Sequence, residues 1–224
     1  MLVFILADAH LELIPRRLWK HPSVKKWCRV RGRKPWELML DQTLIFSAIK
    51  NDEELRDRGR VDILHRALLL ILDSSLCARG IISDIVVHTK RGNVYSIHPD
   101  TRLPRHYFRF LGLMEKLLVE GAIFASGKKL IAKCSNLREV LEKNNVKYVI
   151  GLSRRGRREK LEDYLRVKLK QYKRIAFVVG AFPSGYFSDD VEEIIDDMIS
   201  ISDKPLTTSY VLCRIICTCE SLLL

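Results

Sequence analysis

The sequence lacks the short motifs that mark several common enzyme classes. It contains no G-x-G-x-x-G, no H-E-x-x-H and no G-x-S-x-G, which are typical of Rossmann nucleotide-binding proteins, zinc proteases and α/β-hydrolases. Residues 121–129 (GAIFASGKK) fail as a phosphate loop, because the glycine spacing is one residue too long and Lys129 stands where Ser or Thr is needed. A Rossmann dehydrogenase or methyltransferase is therefore not expected.

Cysteine is present, but not in a pattern that binds metal. None of the six cysteines forms a C-x-x-C pair. Cys213 and Cys217 share one face of a predicted last helix, yet no histidine lies near them in the sequence. We therefore predict free thiols in a reducing compartment and no metal site.

Long apolar runs are also missing. No segment approaches the ~20 uninterrupted apolar residues that a membrane span requires. The apolar opening, residues 1–7, lacks a basic flank and is not expected to be a signal peptide. We expect a cytoplasmic protein, nucleolar if its source is a nucleated cell, and no membrane partner.

Positive charge, in contrast, is abundant. The formal net charge is +12 in 224 residues, and such an excess attracts phosphate-rich partners. Nucleic acid is the leading partner. An anionic membrane surface is the alternative, but no predicted helix sets its Lys and Arg opposite a broad apolar face.

Apolar runs alternate with helical patterns along the chain. Strands are predicted near residues 1–7, 147–150, 175–179 and 198–201, with amphipathic helices between them, including one over residues 36–46. This alternation predicts an α/β fold with a mainly parallel central sheet in a single domain, residues 1–224. Residues 82–97 alternate in polarity around a Lys-Arg-Gly-Asn turn, which predicts a small β-hairpin insertion at about 81–98.

Two strand ends near the C-terminus predict a ligand crevice. The run 175–179 ends at Gly180 and leads through a turn to Gly185, and the run 198–201 ends in a loop that contains Pro205. Adjacent strand ends are where open α/β sheets bind ligands. Ordinary connections between elements are the alternative explanation for the same pattern.

Arginine recurs at helical spacing in the middle of the chain. Arg102, Arg105 and Arg109 are three or four residues apart, so one turn and helix could set them on one side to contact RNA phosphates or bases. Arg60 and Asp62 are two residues apart and can form an ion pair. Asp62 is also a candidate cap for the helix that follows.

Taken together, these segments resemble one family. The stretches are R-V-D-I-L-H-R-A-L-L from Arg60, T-R-L-P-R from Thr101, R-F-L-G-L-M from Arg109, F-V-V-G-A-F from Phe177, and I-S-I-S followed by Pro205 and Leu206. In this order and spacing they resemble the nucleolar essential protein (Nep/Emg) family of ribosome-biogenesis methyltransferases. That family belongs to the SPOUT class, whose C-terminal strands form a trefoil knot.

The resemblance implies a function and a set of site residues. It implies a homodimer that uses S-adenosylmethionine to methylate ring nitrogen 1 of a pseudouridine in small-subunit rRNA, with ribosome assembly factors as possible partners. Arg60, Arg102, Arg105 and Arg109 would hold the rRNA, and Asp62 would stabilise Arg60 or, less favourably, act as a base. The residues that would line the cofactor loops are Leu152, Gly180, Gly185, Ile201, Ser202, Asp203, Lys204, Pro205 and Leu206.

The family pattern is not reproduced everywhere. Val61 replaces the proline of the common R-P-D form, and the loop dipeptides Pro183-Ser184 and Asp203-Lys204 differ from common variants. The alternative function is an RNA-binding assembly factor for which methyl transfer is dispensable.

Overall fold

One mixed sheet forms the centre of the fold. The structure is a computed structural model that describes residues 1–55 and 57–224. Within them the strands are β1 (Leu2–Ala9), β2 (Ile82–Thr89), β3 (Val94–Ile97), β4 (Ala122–Ala125), β5 (Lys128–Cys134), β6 (Tyr148–Arg158), β7 (Ile175–Gly180) and β8 (Asp197–Ser200). Their order in the sheet is β4-β5-β3-β2-β1-β7-β6-β8. Neighbours from β2 to β8 are parallel, and β3, β5 and β4 continue the sheet in antiparallel pairs.

Helices cover both faces of this sheet. They are α1 (Pro22–Arg31), α2 (Gln42–Ile49), α3 (Val61–Leu72), α4 (Ser75–Ala78), α5 (Tyr107–Glu120), α6 (Leu137–Lys143), α7 (Leu161–Gln171), α8 (Asp189–Glu192) and α9 (Thr208–Leu223). None of the described helices is long and apolar enough to cross a membrane. The prediction of an α/β fold is confirmed.

Strand β1 shows why its sequence is a continuous apolar run. All eight of its residues are buried, because helices cover the sheet on both sides. Alternate residues enter different cores: Phe4 packs with Phe177 on the face covered by α3, α5 and α9, whereas Val3 and Ile5 pack with residues of α6 on the other. The centre of the sheet is thus fixed by a strand from the beginning of the chain.

The predicted hairpin forms, but it is not an insertion. Strands β2 and β3 pair antiparallel, with Val87 opposite Tyr95. Strand β2 also pairs in parallel with β1, and Phe4 lies opposite Ile85. The hairpin is therefore part of the central sheet and carries it outward to β5 and β4.

The predicted helix over residues 36–46 is wrong in its first half. Residues 35–37 form a 3-10 turn, and Met39 makes an isolated antiparallel bridge with Leu13. The helix begins only at Gln42, where the Asp41 carboxylate accepts a hydrogen bond from the Thr43 amide.

Candidate functional site

The parallel strands β7 and β8 end on either side of β6. Leu152 of β6 lies opposite Val179 of β7 and opposite Ile199 of β8. The loops that follow β7 and β8 therefore leave the sheet next to each other. This places the two predicted cofactor loops on either side of Leu152, in the middle of β6.

Two adjoining cavities occupy the space between these loops. The larger cavity, of about 380 Å³, is lined by Leu152, by Gly180 and Gly185 of the loop after β7 (the first loop), and by Pro205 and Leu206 of the loop after β8 (the second loop). The smaller, about 80 Å³, lies beside it under residues 199–202 and shares Leu152 and Leu206 with it. The predicted residues that line one or both are Leu152, Gly180, Gly185, Ile201, Ser202, Lys204, Pro205 and Leu206. Asp203 is exposed and is not among the residues that line either cavity.

Hydrogen bonds fix the shape of the crevice. The Thr208 hydroxyl, at the start of α9, donates to the Gly180 carbonyl at 2.6 Å, and the Ser200 hydroxyl donates to the Ser202 carbonyl at 2.7 Å. On the other side, the buried Asp8 carboxylate accepts hydrogen bonds from the Ser188 amide and hydroxyl at 2.9 and 2.7 Å. Each loop is thus tied to a neighbouring element of the core.

The glycines of the first loop have different reasons to be glycine. Gly185 has φ of 111°, a backbone conformation that side-chain-bearing residues rarely adopt, although nothing lies within 4 Å of the place of a Cβ. Gly180 is close-packed instead, because a Cβ would lie 2.7 Å from the Phe182 ring. One glycine provides a turn, and the other lets an aromatic ring lie against the strand end.

The Arg60–Asp62 pair lies beside the crevice. Arg60 donates from Nε and Nη2 to the two carboxylate oxygens of Asp62 at 2.8 and 3.0 Å, and Arg66 donates to Asp62 at 2.6 Å. Arg60 and Arg66 line a cavity of about 350 Å³. The residues that it shares with the larger crevice cavity are Phe182, Pro183, Pro205, Leu206 and Thr208. The fork orients Arg60 toward the space next to the crevice.

This environment decides what Asp62 can do. Its hydrogen bonds with Arg60, together with the charges of Arg60 and Arg66, hold the pKa of the Asp62 carboxyl below its usual range. A carboxylate stabilised in this way is a poor proton acceptor, so the geometry favours a positioning role over a base. The cap prediction is wrong: Arg60 occupies the N-cap of α3, and Asp62 lies in its first turn.

Two of the other predicted RNA arginines, Arg102 and Arg105, lie at the opposite end of α3. Arg102 and Arg105 line a separate cavity of about 640 Å³ with residues of the α3 C-terminus and α4. Arg105 pairs with Asp73, the C-cap of α3, at 3.1 Å. Arg109 is exposed in the first turn of α5 and does not line this cavity. Since α3 has 12 residues, about 18 Å separates the two ends.

His65 anchors the loop that carries these arginines. It is 6% exposed, its Nε2 lies 2.9 Å from the Pro104 carbonyl oxygen, and its ring stacks on Phe110 at 4.2 Å. The single His65 side chain thus holds the 102–105 loop against α3 and α5. A structural rather than catalytic role explains all of these contacts.

Several crevice residues were not predicted from the sequence. Phe182, Tyr186 and Phe187 belong to the loop after β7, and Val211 comes from α9. Arg154 lies within β6, in the register shift between Leu152 and Arg157. The guanidinium of Arg155 lies 3.3 Å from the centre of the Tyr186 ring. Proximity to the two glycines was a signal for the aromatic residues, but no sequence pattern indicated that α9 closes the crevice.

Comparisons with known proteins agree with one another. The profile of the EMG1/NEP1 methyltransferase family matches residues 4–220. The chain is 39% identical over 220 residues to a ribosomal RNA small subunit methyltransferase Nep1 from Staphylothermus marinus, covering 97% of this chain and 94% of the relative. It is also 39% identical to the Saccharolobus solfataricus protein of the same name, covering 98% and 96%. A crystal structure of Archaeoglobus fulgidus Nep1 bound to S-adenosylhomocysteine superposes with a TM-score of 0.85 at 33% identity, covering 98% of this chain and 97% of that one.

Proposed function

Because this chain belongs to the EMG1/NEP1 methyltransferase family, we propose that it transfers the methyl group of S-adenosylmethionine to ring nitrogen 1 of a pseudouridine in small-subunit rRNA. The observation that carries the proposal is the crevice between the Gly180–Gly185 loop and the Ser202–Leu206 loop, with the Arg60 cavity opening beside it. A cofactor in the first and a nucleotide in the second would be neighbours, as methyl transfer requires.

The cofactor half of the proposal is supported by the nature of the crevice. The Archaeoglobus fulgidus relative was crystallised with S-adenosylhomocysteine, the demethylated product of such a cofactor. The described lining is mostly apolar and backbone, which suits a flat adenine, and its cations Arg154 and Lys204 are exposed at the rim. Asp203 would act only through the shape of its loop.

The chemistry is a displacement at the methyl carbon. The ring nitrogen attacks that carbon, the carbon–sulfur bond breaks with its electrons going to sulfur, and the nitrogen's proton passes to water. The protein must align the nitrogen, carbon and sulfur and keep the nucleotide in place. Arg60, held by Asp62, would orient the nucleotide, and Arg102, Arg105 and Arg109 would contact the rRNA further away.

We extend the proposal to a C-terminal knot and a homodimer. Support for the knot comes from β6, since Leu152 and Arg157 are both partners of Ile199, so the segment between them wraps around the end of β8. Support for the homodimer comes from α9 and its C-cap residue: Tyr210 and Leu223 of the helix and the following Leu224 are between 41% and 50% exposed. The protein would act where small subunits are assembled, in the cytoplasm or, in a nucleated cell, the nucleolus, with assembly factors as possible partners.

The decisive experiment is methylation of a small rRNA hairpin made with and without pseudouridine. We expect labelled methyl from S-adenosylmethionine to be incorporated only into the pseudouridine hairpin. Calorimetry should give one cofactor bound per chain. RNA binding without either result would favour an assembly factor for which methyl transfer is dispensable.

A further inference from the structure

A second strongly basic surface lies far from the crevice in the sequence. Residues 16–36, here called the N-terminal basic segment, contain nine Lys or Arg residues and no Asp or Glu. Without this segment the formal net charge of the chain would fall from +12 to +3. A tenth of the chain thus supplies most of the net positive charge.

Most of these cations are not used by the fold. Arg17 pairs with Asp52 and Glu54, and Arg31 and Arg33 pair with Glu115. The others are exposed and form no ion pair with any described acidic residue: they are Arg16, Lys20, Lys25, Lys26, Arg29 and Lys34. Like charges held close together cost free energy unless a partner neutralises them.

The segment is attached firmly to the helix that carries Arg109. Glu115 of α5 is completely buried and accepts hydrogen bonds from Arg31 at 2.8 Å and from the Met39 amide at 3.2 Å. Near the start of α5, the ring of Phe108 lies 5.9 Å from that of Trp27. The N-terminal basic segment therefore lies directly beside the start of α5, where Arg109 is exposed next to Phe108 in the sequence.

Aromatic rings lie among the charges. All three tryptophans of the protein, Trp19, Trp27 and Trp36, are in this segment. Trp36 is 48% exposed and packs on Trp19 at 5.1 Å, and Phe108 is 46% exposed. Cations bind phosphates and exposed rings stack on unpaired bases, so this combination is typical of RNA-binding surfaces.

We propose that the N-terminal basic segment, together with Phe108, binds the rRNA substrate outside the modified nucleotide, extending the Arg105–Arg109 contact. The inference rests on the proposed function. A membrane surface fits less well, because the apolar side of α1 is already in use: Val24 is buried, and Trp27 and Cys28 pack on the small core that includes Leu18 and Ile45.

The test compares two sets of four lysine-to-glutamine substitutions. The first variant is K20Q/K25Q/K26Q/K34Q. The matched control is K143Q/K147Q/K170Q/K173Q, whose lysines are equally exposed but lie near the amino ends of β6 and β7, away from the crevice. RNA affinity is measured against salt concentration with an rRNA fragment that includes the stems flanking the target loop.

We expect the first variant to bind this fragment roughly 10- to 100-fold more weakly at low salt. The slope of log affinity against log salt concentration should be smaller in magnitude by roughly two to four. The control should change little. Unchanged affinity and slope in the first variant, or an equal loss in both variants, would overturn the proposal. Retention of RNA binding with loss of binding to phosphatidylserine vesicles would overturn it in favour of a membrane.

Failure of this inference is distinguishable from failure of the proposed function. Calorimetry with S-adenosylmethionine should give the same affinity in all three proteins, and hairpin methylation by the unmodified protein tests the reaction itself. A protein that methylates but whose first variant binds RNA normally would contradict only the inference. A protein that does not methylate, yet shows the expected salt slopes, would contradict only the reaction.

Tryptophan emission gives a second and local readout. Because every tryptophan lies in the N-terminal basic segment, emission reports on this surface without labelling. We expect saturation with the rRNA fragment to change the emission of the unmodified protein and of the control, and the first variant to need proportionally more RNA for the same change. No change in emission at saturation would overturn the proposal.

Discussion

At the scale of single residues, the site depends on one carboxylate that serves two guanidiniums. The Asp62 carboxylate accepts two hydrogen bonds from Arg60 and a third from Arg66, and the Asp62 side chain remains 28% exposed. An arginine without such a fork samples many rotamers. Asp62 therefore reduces the conformational freedom of the Arg60 side chain in the absence of any ligand.

Replacing Asp62 with Asn tests this positioning role. We expect Asp62→Asn to reduce methylation of the rRNA hairpin at least about tenfold, through weaker or misplaced RNA binding, while S-adenosylmethionine affinity is unchanged. The matched control is Asp73→Asn, which removes the more exposed partner of Arg105 at the other end of α3. A loss of S-adenosylmethionine affinity in Asp62→Asn as large as its loss of methylation would contradict a role confined to positioning Arg60.

The same ion pair makes stability depend on pH. The pKa of Asp62 is lowered in the folded protein, so the unfolded chain binds the proton more readily. The contribution of the pair, roughly 1 kcal/mol, should be complete above about pH 4 and disappear as the pH falls through the folded pKa. Thermal unfolding at several pH values should show the difference between the unmodified protein and Asp62→Asn shrinking in acid. A difference that grows in acid would contradict this assignment.

Gly185 offers a test of the cofactor loop. Gly185→Ala forces a residue with a side chain to adopt φ of 111°, and we expect it to lower the free energy of unfolding by about 1–3 kcal/mol and to weaken cofactor binding. Gly92→Ala is the control, because Gly92 also has positive φ and open space but lies in the β2–β3 turn. Calorimetry should show weaker S-adenosylmethionine binding only for Gly185→Ala.

At the scale of elements, the sequence predicted where strands lie in the chain more accurately than which strands pair in the sheet. The branched and aromatic runs of β1 and β7 identified both strands within one or two residues. The pattern could not reveal that β2 pairs with β1, because pairing in parallel leaves no local signature. Residues 154–158, four of which are arginines, lay outside the strand predicted at 147–150, yet they extend β6, where Arg157 and Arg158 pair with β8.

The error in the first half of the helix predicted over residues 36–46 has a similar origin. Its apolar residues are spaced as in an amphipathic helix, but Leu38, Met39 and Leu40 are all buried in extended chain. The Leu40 amide bonds to the Glu12 carbonyl, and the Ile14 amide bonds to the Leu38 carbonyl. Tertiary hydrogen bonds with a distant segment overrode the local pattern.

The candidate crevice could be predicted because its glycines are local signals, whereas the cavities and the α9 contribution depend on packing.

Gly156 tests the wrapping of β6 around β8. A Cβ at Gly156 would lie 2.5 Å from the backbone carbon of Ile199, whereas one at Gly151 would lie 2.6 Å from the flexible end of the Ile195 side chain. Since backbone cannot move aside, we expect Gly156→Ala to lower the free energy of unfolding by about 3 kcal/mol or more and Gly151→Ala by less. Urea unfolding measures both, and equal effects would mean that β8 moves freely relative to β6.

At the scale of the whole molecule, the exposed apolar residues of α9 lead to a prediction of association. We expect sedimentation at micromolar concentration to give twice the mass of one chain, with Tyr210→Glu shifting the protein toward the monomer because a charge would be buried in the interface. Tyr186→Glu serves as the control, since Tyr186 is 40% exposed but lines the crevice. A monomer at these concentrations would remove the homodimer.

The central position of β1 also has a consequence for how the protein is made. Strand β1 hydrogen-bonds along one side to β2 and along the other to β7, so that Leu2 lies opposite both Ile82 and Ile175. The edge of β1 that pairs with β7 stays unpaired until Ile175 has been synthesised. During translation the apolar strand β1 therefore keeps one unpaired edge, and such edges are sites of aggregation. Nascent chains ending before β7 should consequently engage chaperones, and release from them should coincide with the emergence of residues 175–180.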